Sequence, residues 1–416
     1  MSTRFDPYLQ IFRSRRIAII LLFGFSSGLP LSLTGSTLQA WMTIAGVNLH
    51  TIGIFSLVGL PYTLKFLWSP VMDRFVLPWL GRRRGWIIAT QTALVLSISS
   101  MTLFSPLHMP WLFAAIALTV AFFSASQDIV IDAYRTDVLQ EKERGVGAAV
   151  FVTGYRVAML VSGALALILS DQIGWQRTYF LMAGLMTLGI LTTLLGKEPG
   201  ERMAHPPTIQ EAVVGPLRDF FSRDKAVLLL CLVVLYKLCD AYAGSMTIAF
   251  LIRGLGFSAT DVGTINKFLG LVSLIVGAMF GGILMVKLGL YRALLIFGIL
   301  QAGSILSFVL LAWIGKNYGA MIFAVAFENL TGGMGTSAFV ALLMALCTHR
   351  YSATQYALLS SLAALGRVMI APTSGYLIEY LGWANFFVVS TLSALPGLWL
   401  LRRLRSTISM LKHREN

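Results

Sequence analysis

Nine ionisable side chains lie inside long apolar stretches of this sequence: Lys65, Asp128, Asp132, Arg156, Lys237, Asp240, Lys267, Glu328 and Arg367. A charge near the middle of a hydrocarbon layer costs about 2.5–3.5 kcal/mol on insertion scales, so each is a candidate functional group. The densest group is "SASQDIVIDAYRTD" (124–137). Asp128 and Asp132 are four residues apart, hence on one face of a helix, and Gln127 adjoins that face. Two carboxylates in a low-dielectric site resist being ionised together, which suits them to take up and release a proton. The other reading is an ion pair holding helices together, with Arg135 or with Arg156 on the next stretch. Both readings stay open. Asp137 falls at the edge of the stretch and reads as a gating or helix-end group. Glu328, followed by Asn329 and "TGGMG" (331–335), is a further proton carrier to consider. Lys237 and Asp240, three apart, can pair with each other or meet a substrate.

The elements that hold these residues follow from composition. Of 416 residues 57% are hydrophobic and only 12% charged, with mean hydropathy +0.78. A soluble domain of this length needs roughly twice that charge. The apolar residues come in blocks of about twenty, the length that crosses a bilayer core. Twelve spans are expected, near 17–38, 50–70, 86–105, 111–133, 146–169, 176–196, 226–252, 261–286, 291–314, 319–346, 354–378 and 383–401. The first reads as a retained helix rather than a signal peptide, since no small-residue cleavage site follows it. With an even number of spans, 24 of the 32 Lys and Arg residues fall on the side of the termini. The opposite loops hold only Arg177, Arg253 and Lys316. The positive-inside rule then places both termini in the cytoplasm. It also accounts for the net charge of +14 without a nucleic-acid surface, because the basic residues are spread over many short loops. Cys231, Cys239 and Cys347 have no metal-ligand spacing, and no phosphate-binding glycine loop or nucleophile elbow occurs. No cofactor or metal is expected.

The two halves of the chain echo each other. "GVNLHTIG" (46–53) answers "GFSATDVG" (256–263), "TGYR" (153–156) answers "ALGR" (364–367), and "IGW" (173–175) answers "LGW" (381–383). Such internal symmetry is expected of a transporter built from two related bundles. The expected organisation is a bundle over 1–196, a linker over 197–225 with an amphipathic helix carrying Ile209, Val213, Leu217, Phe220 and Phe221, and a second bundle with a basic tail over 226–416.

The loop "SPVMDRFVLPWLGRRRG" (69–85) resembles the acidic–Arg–x–Gly–Arg–Arg loop of the major facilitator superfamily, with an insertion before Gly81. The second half keeps glycines and Lys287 in "GGILMVKLGLYRA" (281–293), with Met285 where the acid would fall. "LQAWM" (38–42), "FSLVGLPYTLKFLWSPVMDR" (55–74), "SASQDIVIDAYRTDVL" (124–139), "LYKLCDA" (235–241), "ENLTGGMGTSAFVALLMALC" (328–347) and "SATQYALLSSLAALGR" (352–367) are similar to the AmpG family of muropeptide permeases. Longer members carry further hydrophobic helices where this chain ends in "RRLRSTISMLKHREN" (402–416).

The resemblance implies an all-α major facilitator fold of twelve transmembrane helices in two pseudo-symmetric six-helix bundles, and no enzymatic activity. It implies import of anhydro-muropeptides from periplasm to cytoplasm by proton symport, across the bacterial inner membrane, by a monomer. The rivals are a related facilitator moving drugs or siderophores, and a membrane-embedded enzyme. Under the transport reading, Asp128, Asp132 and Glu328 couple to protons. Asp73, Arg74, Arg82, Arg83 and Asp137 gate. Gln127, Tyr155, Arg156, Lys237, Asp240 and Arg367 contact the substrate, guanidinium being suited to its carboxylates. Tyr62, Tyr155 and Tyr356 can stack on a sugar ring.

Overall fold

The structure, a computed structural model, describes residues 15–69, 72, 75, 77, 80–139, 144–198, 218, 220–222, 225–347 and 352–411. Without water to satisfy N–H and C=O groups, a chain this apolar must close its hydrogen bonds within helices. The described residues form helices and no strand. In order they are α1 (Arg15–Ile44, interrupted at Gly35), α2 (Leu49–Leu64), α3 (Arg82–Met101), α4 (Pro110–Val138), α5 (Arg144–Leu160 running through Val161–Leu165 to Ala166–Ile173) and α6 (Trp175–Leu195). Then come α7 (Ala226–Gly254), α8 (Ala259–Asp261, Val262–Leu269 and Gly270–Leu288 in one run), α9 (Leu290–Ile314) and α10 (Tyr318–Ala345). The run Ser352–Leu392 is divided by Gly382 into α11 (352–381) and α12 (383–403), and α13 (Arg405–Leu411) follows.

Each expected span falls on one of these helices. Among the described residues, eight runs are long and apolar enough to cross a bilayer, and one of them, Leu358–Arg403, holds two expected spans. The other three are α2, which is short, and α3 and α10, diluted by Arg82, Arg83 and Arg84 or by Glu328, Asn329 and their glycines.

The chain divides into two compact units, 1–47 with 58–203, and 48–57 with 204–416. The start of α2 therefore belongs with the second unit, where it lies along α11. In the first unit α1 packs on α5, and α3 on α4 and α6. Its core gathers Ile20, Phe23, Ile87, Val130, Ile131 and Tyr134. In the second unit α8 and α9 pack on α10, and α7 on α11 and α12, around Leu232, Tyr236, Phe297, Leu342 and Leu401. The amphipathic helix expected in the linker lies mostly outside the described residues; of its apolar positions Phe220 is buried in this second core.

The repeat seen in the sequence is present in the backbone. Gly46 and Gly256 have φ of 85° and 73°, Gly81 and Gly289 of 89° and 75°, Gly174 and Gly382 of 83° and 76°. At the last pair the left-handed backbone ends one helix and starts the next within a residue, a turn that any side chain would strain. Small residues also set the helix spacing. Gly24 and Gly28 of α1 rest on the Phe151 and Tyr155 carbonyls of α5, and Gly277 and Gly333 do the same between α8 and α10.

A methyl group separates close packing from open space here. Gly24→Ala sets its Cβ against the Phe151 carbonyl, whereas Gly184→Ala meets nothing within 4 Å. The first should lose roughly 1–3 kcal/mol of stability, and the second should gain up to about 1 kcal/mol from helix propensity. Thermal unfolding in detergent reads both; equal midpoints for the two variants would contradict the packing.

Candidate functional site

Each unit carries its own charged cluster. In the first, α4 presents Asp128 within electrostatic reach of Lys65, at the 3₁₀ end of α2, and of Asp132, one turn along. Asp128 also faces the Ser27 hydroxyl of α1. Asp128 Oδ1 and the Ser27 Oγ are both buried there. The Tyr62 hydroxyl sits 3.5 Å from Thr34 Oγ1 and beside Ser124. Tyr155 lies in the field of Asp128, Tyr62 and Arg156, which brings α1, α2, α4 and α5 to one place.

Asp132 is paired with Arg135 at 3.2 Å, and the Arg135 guanidinium lies 4.5 Å over the Phe151 ring of α5. Arg156 is exposed, its guanidinium only 4.0 Å from Met159 Sδ, and it forms no ion pair with Asp128 or Asp132. Gln127 is fully buried and donates Nε2 to the Ser26 carbonyl at 2.9 Å, tying α4 to α1 and leaving Oε1 without a partner.

In the second unit the cluster forms where two helices lose regular geometry. Lys237 (φ −97°, ψ 9°) breaks α7, and its Nζ reaches Asp240 Oδ2 at 3.4 Å and Thr336 Oγ1 of α10 at 3.0 Å. In α8 the π-helical stretch Val262–Leu269 carries Lys267, within electrostatic reach of Glu328 on α10. Glu328 also senses Asp240 and Lys237, and its Oε2 accepts from Asn329 Nδ2 at 2.8 Å. Discontinuous and π-helical segments recur at binding sites inside membranes. Arg367 on α11 is exposed, without a carboxylate partner among the described residues. The side chain of Tyr356 lies outside the described residues.

A third group ties α3, α4 and α6 at one end of the first unit. Arg83 Nε donates to Asp137 Oδ2 at 2.9 Å, with Arg83 itself buried. The Arg83 and Arg84 backbone amides donate to the two Glu198 oxygens at 2.8 and 3.0 Å, so a carboxylate from beyond α6 caps the N-terminus of α3. Arg84 and Arg15 in turn donate to the Thr193, Leu194 and Leu195 carbonyls at the end of α6. Arg82 opens the helix beside them; Asp73 and Arg74 lie outside the described residues.

Sequence reasoning singled out the acids and arginines but not Glu198, Thr336 or Ser27, and it left Lys65 and Lys267 without a role. Glu198 carries the one available signal, a carboxylate two residues past a span end. The hydroxyls carry none, since Ser and Thr are common throughout these helices.

The profile of the Major Facilitator Superfamily matches residues 20–368. An Escherichia coli protein, an anhydromuropeptide permease, is 55% identical over 413 residues, 99% of this chain and 84% of its own length. A Rickettsia felis protein, a putative transporter AmpG 4, is 33% identical over 96% of this chain and 99% of its own. Among solved structures, the nucleoside transporter NupG aligns with a TM-score of 0.76 at 13% identity, over 94% of this chain and 99% of its own. A bacterial homolog of the human lysosomal transporter Spinster aligns at 0.72 and 13% identity, over 99% of both chains. At that identity the two structures share the fold alone.

Breaking one partner of a buried ion pair is worse than removing both. The Lys237–Asp240 pair is part-buried, its side chains 15% and 33% exposed, so Lys237→Met should cost about 1–2 kcal/mol, between the surface and buried cases, and adding Asp240→Leu should recover most of it. Unfolding midpoints of the two variants check this, and a double variant no better than the single would contradict the pairing.

Proposed function

The chain belongs to the major facilitator superfamily, and on that premise we propose that it imports anhydro-muropeptides from periplasm to cytoplasm by proton symport, for cell-wall recycling. The observation that carries the reading is 55% identity over 99% of the chain to a permease whose name gives that substrate. The chain is a multi-pass membrane protein; we place it in the bacterial inner membrane with both termini cytoplasmic, on the strength of its Lys and Arg distribution. We take the working unit to be a monomer.

The clusters have the chemistry this transport needs. A muropeptide brings carboxylates and sugar hydroxyls. Exposed Arg156 and Arg367 offer bidentate donors for the former, and Lys237 a compact cation already aligned with Asp240 and Thr336. Tyr155 and the open Oε1 of Gln127 add uncharged contacts. Protons are assigned to Asp128 and Asp132 in the first unit and Glu328 in the second, each acid in the field of a lysine or arginine. Protonating one carboxylate leaves its cation uncompensated, which favours an incoming anion at the same place. This links the two solutes without any covalent step. Arg82, Arg83 and Asp137, with Asp73 and Arg74, are assigned to the gate, because the α3–α4 pair must be released or kept as the helix ends move.

Proteoliposomes with an inward proton gradient test this. Labelled anhydro-disaccharide-peptide should accumulate above the level of protein-free vesicles, and sugar or peptide alone should compete poorly. Asp128→Asn or Asp132→Asn should abolish gradient-driven accumulation while leaving counter-exchange partly intact. No accumulation by the unaltered protein would overturn the substrate, and undiminished accumulation by both variants would overturn the proton site.

A further inference from the structure

At one end of the second unit positive charge accumulates without an ion-pair partner among the described residues. Lys287 closes α8, Arg292 lies in the first turn of α9, Arg402 and Arg403 end α12, and Arg405 begins α13. All five are exposed. No Asp or Glu occurs between residues 262 and 327 or between 380 and 411, so these helices carry no counter-charge of their own. Among the described residues none of the five has a carboxylate partner. Helix dipoles account for Lys287, Arg402 and Arg403, which sit in last turns where a cation is favourable. They make Arg292 and Arg405 worse, since both occupy first turns, where the dipole repels a cation.

The two arginines nearest the turn are nonetheless held in place. The Arg403 guanidinium stacks over Trp399 at 5.4 Å, and that of Arg405 over Tyr291, next to Arg292, at 5.7 Å. Stacking fixes the planar group by its face and leaves its N–H edge free for an anion. The surroundings are those of a membrane boundary. Trp399 and Met410 are 60% and 61% exposed, while Leu404 and Ile408, one turn apart, are buried. The short α13 thus buries one face in the core and turns arginine and methionine outward.

We infer that this end of the second unit binds an anionic phospholipid, with Arg292, Arg403 and Arg405 around the phosphate. The positive-inside pattern explains why basic residues are numerous here. It does not explain a guanidinium held over the part-buried Tyr291 ring at two helix starts, where the dipole repels a cation. An anionic headgroup supplies the missing negative charge.

The purified full chain in mixed micelles provides the test. Phosphatidylglycerol should raise the unfolding midpoint and phosphatidylcholine should not. Each arginine contributes about fivefold near an anionic surface, so the triple variant Arg292→Gln, Arg403→Gln, Arg405→Gln should need roughly a hundredfold more phosphatidylglycerol. The corresponding triple Lys variant should retain most of the response. Native mass spectrometry of the unaltered protein should keep phosphatidylglycerol adducts at voltages that strip phosphatidylcholine, a measurement that stands even where the glutamine variant unfolds. Equal response to the two lipids, an undiminished response in the glutamine variant, or the same shift from soluble glycerol phosphate would each overturn the lipid site.

Discussion

Charge in an apolar interior has to be balanced close by, and that constraint organises this molecule. The Coulomb energy of a pair grows as the surroundings become less polar, and so does the penalty for a charge without a partner. Each unit meets the constraint with its own residues: Lys65 and Arg135 against Asp128 and Asp132 in one, Lys237 and Lys267 against Asp240 and Glu328 in the other. The same balance makes each cluster responsive, because one added proton or one added carboxylate upsets it.

Backbone geometry follows the charges. A regular helix would carry Lys237 round its surface in the ordinary register; the break at that residue lets Nζ meet both Asp240 and Thr336. The π-helical stretch ending at Leu269 shifts the register of α8 by the residues that carry Lys267. Between α1 and α5 the spacing is set by glycine instead. The joints, by contrast, repeat in both halves at Gly46 and Gly256, Gly81 and Gly289, Gly174 and Gly382. The halves share their turns and differ in their clusters, as expected if turns serve the fold and clusters serve the solute.

Most of the fold was legible in the sequence because it rests on two strong signals, apolar block length and glycine placement. The paired motifs at 173–175 and 381–383 became two helix junctions with matching backbone. Charged residues inside the spans were equally visible, since so few exist. Their partners were not. Asp132 had Arg135 and Arg156 within plausible reach, and only side-chain geometry selects Arg135 and leaves Arg156 without that pair. Gln127 read as a site residue from its neighbours; that it also donates to the Ser26 carbonyl of α1 is a detail of one helical face that periodicity in an all-apolar helix does not report. The grouping of 48–57 with the second unit was also silent, because hydropathy records that a segment is buried and not against what.

The arginines show why counting charges and placing them are separate problems. The positive-inside rule treats them as equivalent, and for orientation they are. In the structure they divide by what their donors meet. Arg15 and Arg84 satisfy carbonyls at the end of α6, Arg83 holds Asp137, and Arg135 holds Asp132 under an aromatic ring. In each of these the guanidinium meets a carbonyl or a carboxylate of its own unit. Among the described residues Arg156 and Arg367 make no contact of that kind, although they occupy matching positions in the two halves. A permanent cation on a membrane helix without a carboxylate beside it is costly unless an anion arrives from outside the fold. The proposed carboxylate-bearing solute would supply that anion to the matched pair.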